Sequence, residues 1–381
     1  MAGRKNLPIP GPSLLMNIAL IRRRFSPVGG AELYLQRLLG ALVGAGHEVH
    51  LYAQSWSGQA VGVGAHPVRV AAPRAGAPLA FALEVQRMLR GANHDLVFSL
   101  ERTLHQDVYR AGDGVHASWI EAKRRYAPWW RRWWEGRSAF HRGLCALEAR
   151  SLCASNTGEV IVNSNLVGED IATRFAFPAE RIHLVRNGID LSRHGHADRQ
   201  QARAQWGLAD DDFVMLFAGS GWERKGLHFA LQAMRQLTPN DPKLKLLVAG
   251  RGRCLRPGKQ VRLLGPVSEM PSLYAAADAM LFPPIYEPCA NVVSEALAAG
   301  LPVITTRSNG ASELIEPGVH GEILSDPADI GAMVQSIQRW RQRPPTRVVT
   351  PAGVLSLQEN AAQTLRVLEL ALERKREGLR R

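Results

Sequence analysis

Long apolar runs are missing from this chain. No stretch approaches the roughly 18 uninterrupted apolar residues of a membrane-crossing helix. The run from Leu14 to Ile21 is short and ends in Arg22, Arg23 and Arg24, which speaks against a spanning segment and against a cleaved leader. Cysteine is scarce. Cys145, Cys153, Cys254 and Cys289 are scattered without CxxC spacing, so neither a disulfide framework nor a zinc knuckle is expected, and a cytoplasmic setting fits. No internal repeat of fixed period is visible. With 46% apolar and 21% charged residues, the composition excludes disorder, collagen-like repeats and a coiled coil as the main architecture.

What is present is bulk and positive charge. At about 150 residues per domain, a chain of 381 residues makes two domains. Lys and Arg number 47 against 34 Asp and Glu, a formal net charge of +13, which points to a polyanionic partner or a phosphate-bearing substrate. From His116 to Arg150 there are eight basic residues against three acidic ones, and five of the nine tryptophans fall in the same window.

The patterning alternates strand and helix. Asn17 to Arg22 reads as a strand, followed by a glycine turn at Ser26 to Gly30, a helical spacing through Leu33, Leu38 and Leu42, and a strand from Glu48 to Ala53. That is a βαβ unit, whose parallel strands need a crossover helix. Further strands are expected at 95–100, 160–163 and 183–185, with a helix over 165–175. Residues 191 to 211 are polar and read as a linker. The grammar then restarts with a strand at 213–218, a helix at 227–237, and strands at 245–249, 261–264, 279–282, 302–305 and 321–324. The predicted fold is α/β, with two Rossmann-like doubly wound domains over 16–190 and 191–355. A long basic helix from Ser356 to Arg381 ends the chain.

Two constellations carry chemistry. Gly219-Ser220-Gly221-Trp222-Glu223-Arg224-Lys225-Gly226 follows an apolar strand and opens a helix. A turn of that kind brings backbone N–H groups and two fixed cations to one place, which suits a diphosphate. An ordinary turn with surface basic residues is the plain alternative. The second constellation is Glu287-Pro288-Cys289-Ala290-Asn291-Val292-Val293-Ser294-Glu295. Here one carboxylate sits in a loop after a strand and another lies in the following helix, an arrangement that can hold the vicinal hydroxyls of a sugar.

Together with Pro27-Val28-Gly29-Gly30-Ala31-Glu32 after the first strand, these segments resemble the retaining glycosyltransferases of family 4, which have the two-domain GT-B fold. The resemblance runs from about Met16 to Ile337. It is similar in particular to the branch of glucosyltransferases that build the lipopolysaccharide core, through Tyr52 to Gly58 and Asp107 to Asp113. The resemblance implies two domains facing each other across a cleft, the first binding the acceptor and the second the nucleotide sugar, with the terminal helix crossing back. It implies a hexose of glucose type, carried on UDP, moving to a lipopolysaccharide core or other lipid-linked glycan at a bacterial inner membrane. Arg224 and Lys225 would neutralise the diphosphate, Glu287 would contact donor hydroxyls, and Glu295 would hold the ribose. Gly29, Gly30 and Gly219 would bring backbone N–H groups close, and those of Cys289, Ala290 and Asn291 would complete the sugar pocket. Many relatives have glycine where this chain has Ala290. Many also carry a histidine in the loop that reads here Ala111-Gly112-Asp113-Gly114-Val115-His116; Asp113 is taken for that contact, with His116 as the alternative. The implied mechanism is front-face substitution, in which no metal is required. Asp210-Asp211-Asp212 reads as a solvated cap rather than a metal motif.

Trp129-Trp130-Arg131-Arg132-Trp133-Trp134 remains. If helical, the four indoles share one face with arginines at its flanks, which suits an anionic membrane surface. A face packed into the domain or a partner, and base stacking, are the other readings. No nucleic-acid-binding motif accompanies the segment. The alternative function is a basic membrane- or polyanion-binding protein that keeps the fold without turnover.

Overall fold

The computed structural model describes residues 15–25, 30–56, 62–195, 197–253, 257–344 and 347–380. Gly29, Ser57, Gly58 and Cys254 lie outside them. The first sheet has seven strands, all parallel, in the order Val63–Pro67, Glu48–Ala53, Asn17–Ile21, Leu96–Ser99, Gln106–Arg110, Thr157–Val162 and Ile182–Leu184. The second has six, in the order Val261–Gly265, Leu244–Ala249, Phe213–Ala218, Ala279–Phe282, Val303–Thr306 and Gly321–Leu324. Helices cover both faces, which favours continuously apolar central strands; all six residues of Phe213–Ala218 are apolar and buried. In each sheet the first and fourth strands in chain order lie side by side. There the winding reverses and a crevice opens beyond the strand ends.

Four departures from the sequence reading have physical causes. The strand Gln106–Arg110 does not read as apolar, yet Gln106 is buried because Ser151 Oγ accepts its amide at 3.1 Å. Residues 191–211 are not a linker. They contain the helix Arg199–Gln205, whose Arg203 is buried and donates to Ala276 O at 3.0 Å, and both Arg199 and Arg203 reach the Asp278 carboxylate. The aromatic segment is helical only over Trp129–Arg132, a single turn begun by Pro128. Its indoles are exposed, Trp129 by 81% and Trp134 by 78%, and arginines lie over two of them, Arg131 at 5.2 Å from the Trp130 ring and Arg137 at 4.8 Å from that of Trp133. Asp212 is not a solvated cap: its side chain is 9% exposed and its carboxylate accepts from Ala209 N–H at 3.0 Å, closing the turn before Phe213–Ala218.

The chain passes between the sheets twice. Gly188–Ile189, on the outward crossing, pairs in parallel with Leu355–Ser356 on the return. The helix Leu357–Arg380 then lies on the first sheet, where Val367, Leu368 and Leu372 join its core and Arg374 reaches Glu159 at 2.7 Å. Elsewhere Trp119 and Tyr126 of the first unit pack on the core of the second, the Tyr126 ring 5.6 Å from that of Phe229, and polar contacts join the units as well. Tyr286 Oη accepts from Val115 N–H at 2.9 Å, Ser164 Oγ donates to Pro288 O at 2.7 Å, and Arg186 pairs with Glu313 at 2.9 Å. Gly114 takes a positive φ of 68°, and a Cβ there would lie 2.6 Å from Pro288 Cγ; only glycine permits this approach.

The loop 111–116 that makes this approach is anchored from below. Glu148 is 1% exposed, pairs with Arg102 at 2.7 Å, and accepts from His116 N–H at 2.8 Å and Ala117 N–H at 3.2 Å, capping the helix His116–Tyr126 from a neighbouring helix. Breaking such a pair leaves a buried guanidinium without its partner. Glu148→Ala should therefore lose about 3–5 kcal/mol of stability, measured by urea unfolding, against about 0.5 kcal/mol for a surface substitution such as Glu180→Ala.

Candidate active site

The second sheet's crevice gathers both constellations. The turn after Phe213–Ala218 is stapled by buried Trp222, whose Nε1 donates to Gly219 O at 2.9 Å. Gly219 leaves its face bare for the Lys225 stem, which a Cβ would approach to 2.9 Å. Opposite, the loop after Ala279–Phe282 carries Glu287, whose N–H donates to Ser308 O and whose carbonyl accepts from Gly310 N–H, both at 2.9 Å. Arg224 and Lys225 converge on the same oxygen, Glu287 Oε2, at 3.0 and 3.4 Å. That oxygen is sealed from solvent and has no directed hydrogen bond, so charge alone holds it. Burial lowers the Lys225 pKa, the nearby Arg224 adds to this, and Glu287 opposes both.

Three adjoining pockets run along the cleft. The middle one, about 480 Å³, is lined by Arg22, Arg110, Arg224 and Lys225 against only Asp113 and Glu287, a surplus of two positive charges. Cys289, Ala290 and Asn291 also line it. Beside it, sharing Gly188 and Asn291, is a pocket of about 130 Å³ containing Glu295 and His194. On the other side, sharing Asp113, Arg224 and Glu287, is a pocket of about 370 Å³.

Asp113, Arg224, Lys225 and Glu287 are thus brought together, Asp113 from the first sheet and the rest from the second. Glu295 is set apart in the smaller pocket, where its Oε2 accepts from Tyr274 Oη at 2.7 Å. The Ala290 N–H is turned away from the pocket's use, because buried Asn309 Oδ1 accepts it at 3.3 Å. Gly219 does not line the middle pocket, where its neighbour Ser220 does, and Gly30 begins the helix Gly30–Gly44. The thiol of buried Cys289 is pushed up to about 12 by burial, which leaves it inert. His116 lines the 370 Å³ pocket but not the middle one, and its Nε2 lies 2.9 Å from His141 Nδ1.

Four residues of the site escape a sequence reading. Tyr286 and Asn187 act across the cleft, Asn187 Nδ2 donating to Asn291 Oδ1 at 2.7 Å. Tyr274 lies in an unremarkable apolar helix. His194 is 9% exposed, stands 5.7 Å from the Tyr274 ring, and its Nδ1 is sealed without a partner among the described residues. No local pattern marks any of them.

Two doubly wound units whose crevices face each other, with cations and a carboxylate at the second crevice, define a GT-B glycosyltransferase. Residues 28–193 match the model of Glycosyltransferase Family 4, and residues 198–350 match that of Glycosyl transferases group 1. The chain belongs to these glycosyltransferases. It is similar to lipopolysaccharide glucosyltransferase WaaG of Escherichia coli, with 23% identity over 350 residues, 87% of this chain and 91% of that one. The crystal structure of WaaG, a glycosyltransferase involved in lipopolysaccharide biosynthesis, superposes with a TM-score of 0.74 at 23% identity, covering 93% of this chain and 98% of that one. Anabaena HepE, crystallised with UDP and glucose, superposes with a TM-score of 0.63 at 18% identity, covering 94% and 95%. The match to spore coat protein SA of Bacillus subtilis, 27% identical, covers 46% of this chain and 53% of that protein, so the chain spans about half the length of that relative.

His116 titrates in reach of mild acid. Burial, with Arg102 and His141 beside it, lowers His116 from 6.5 to about 4. A depressed pKa means that the fold favours the neutral ring, so its stabilisation is complete above pH 6.5 and is lost as pH falls toward 4. The thermal midpoint of the protein should drop through that window, and the drop should be shallower in His116→Asn.

Proposed function

We propose that this protein transfers a glucose-type hexosyl group from a nucleotide diphosphate sugar, with UDP as carrier, to a lipopolysaccharide core or other lipid-linked glycan at the cytoplasmic membrane face. The observation that carries the reading is the charge along the cleft. The middle pocket is lined by four cations and two carboxylates, and the neighbouring pocket of Glu295 and His194 is balanced by Arg37, Arg193, Asp190 and Glu295, which suits a diphosphate joined to an uncharged nucleoside. In this reading Arg224 and Lys225 leave Glu287 for the diphosphate, and Glu287 turns to donor hydroxyls. Backbone N–H groups of Cys289 and Asn291 border the sugar, Glu295 holds the ribose, and Asp113 faces the reacting carbon from the other unit.

Retention of configuration follows if the acceptor oxygen bonds the anomeric carbon on the face the diphosphate leaves, with the acceptor proton passing to the departing phosphate oxygen. Negative charge grows on the diphosphate as its bond to carbon breaks, so cations fixed there stabilise the transition state more than the ground state. They supply the positive charge that a divalent metal gives elsewhere, and the reaction as proposed runs without one. The exposed indoles and Arg131, Arg132 and Arg137 then place the enzyme on its substrate-bearing membrane; no helix among the described residues is long and apolar enough to cross it.

A panel of UDP, GDP, ADP and CMP sugars tests the donor. One nucleotide class should raise the thermal midpoint, the shift should vanish in Lys225→Ala and Glu295→Ala, and turnover should survive EDTA. No shift with any nucleotide would favour a binding protein without turnover. For the membrane, Trp129→Ala with Trp133→Ala should cut binding to vesicles containing phosphatidylglycerol by tenfold or more and leave the nucleotide shift in place.

A further inference from the structure

The charge design of the donor crevice is repeated in the first sheet. Arg224 and Lys225 follow the first strand of the second sheet and Glu287 follows its fourth. Arg22 and Arg23 follow the first strand of the first sheet and Glu101 follows its fourth. The contacts correspond too: Arg22 lies 3.3 Å from Glu101 Oε1, and the Arg23 N–H donates to that oxygen at 3.2 Å. Burial raises the Glu101 pKa, Arg22 opposing it, as expected for a carboxyl held in a crevice.

The pocket of about 370 Å³ into which Glu101 looks differs from its neighbour in charge. Arg23, Arg102 and Arg224 stand against Glu101, Asp113 and Glu287, and His116 is neutral near pH 7. The sum is zero. Arg102 is already committed to Glu148 and Arg224 to Glu287, which leaves Arg23 against Glu101 and Asp113, so a phosphate entering here would meet more negative charge than positive. Trp119 and Phe140 give the pocket aromatic walls. Directed oxygens beside aromatic surface suit an uncharged ring bearing several hydroxyls.

We propose that this pocket is the acceptor site for an uncharged pyranoside, with Glu101, held by Arg22 and by the Arg23 backbone, accepting hydrogen bonds from the acceptor's hydroxyls. The proposal rests on the donor reading above and adds the residue and the class of acceptor. Its chemistry discriminates: a carboxylate accepts from hydroxyls and repels an anionic substituent.

The test uses the full chain and the nucleotide sugar selected by the panel, with methyl α-glucopyranoside, methyl α-mannopyranoside and methyl α-galactopyranoside as acceptors, each beside its 6-phosphate, and product detected by mass. At least one neutral pyranoside should be glycosylated, and its 6-phosphate should be at least tenfold poorer in kcat/KM. Glu101→Gln should raise the KM of that pyranoside about tenfold and Glu101→Asp should recover part of the loss, while the Kd for the nucleoside diphosphate, measured by calorimetry, stays as in the unsubstituted protein. Equal or better use of the 6-phosphate, an unmoved KM in Glu101→Gln, or nucleotide binding without transfer to any pyranoside would overturn the proposal. A protein that binds no nucleotide would instead overturn the donor reading beneath it.

Discussion

Two cations crowd one sealed carboxylate oxygen at the mouth of the second crevice, and much of the molecule is arranged around that imbalance. Arg224 and Lys225 repel each other, and burial makes the lysine's charge expensive; Glu287 relieves both costs without a directed hydrogen bond. Such a cluster is stable in the empty protein yet ready to exchange its internal anion for an external one. Anchoring Lys225 deeply would be useless if the chain around it were soft. Trp222 staples the turn, Asn309 and Gly310 fix the opposing loop, and buried strands stand behind both. Positioning of this sort is set before the ligand arrives, which is what makes a fixed charge effective in a transition state.

The cleft grades from balanced to cationic to balanced charge along three adjoining pockets, although the chain as a whole carries +13. Most of the positive excess therefore lies elsewhere, with a concentration around the exposed tryptophans. Global charge and local charge serve different ends here. The first attracts the molecule to an anionic surface over distances of about a Debye length, and the second sorts parts of a substrate at contact distance.

How much of this is legible in the sequence depends on what buries each segment. Phe213–Ala218, Leu227–Leu237 and Ala279–Phe282 are legible to the residue, because strands covered on both faces are continuously apolar and the helix keeps a clean stripe. The helix Ala77–Leu89 is not, since exposed Leu79 and Leu83 smear its apolar residues over both faces. Nor is Gln106–Arg110, a core strand whose buried glutamine is compensated by the hydrogen bonds its amide donates to remote Ser151 and Thr157. In the site, Arg224, Lys225, Glu287 and Glu295 stand in recognisable local spacing. Tyr286 meeting Val115, and Glu148 capping a helix across from its own, come from separations that no window of sequence contains.

The two passages of the chain between the sheets run side by side, Gly188–Ile189 against Leu355–Ser356. Two tethers placed far apart would lock the halves together, and a single tether would let them swivel freely. Two tethers bonded into one short ribbon gather both crossings in one place, so the position of Asp113, carried on one half opposite Arg224 and Glu287, is set by the contacts of Tyr286, Ser164 and Arg186 across the cleft.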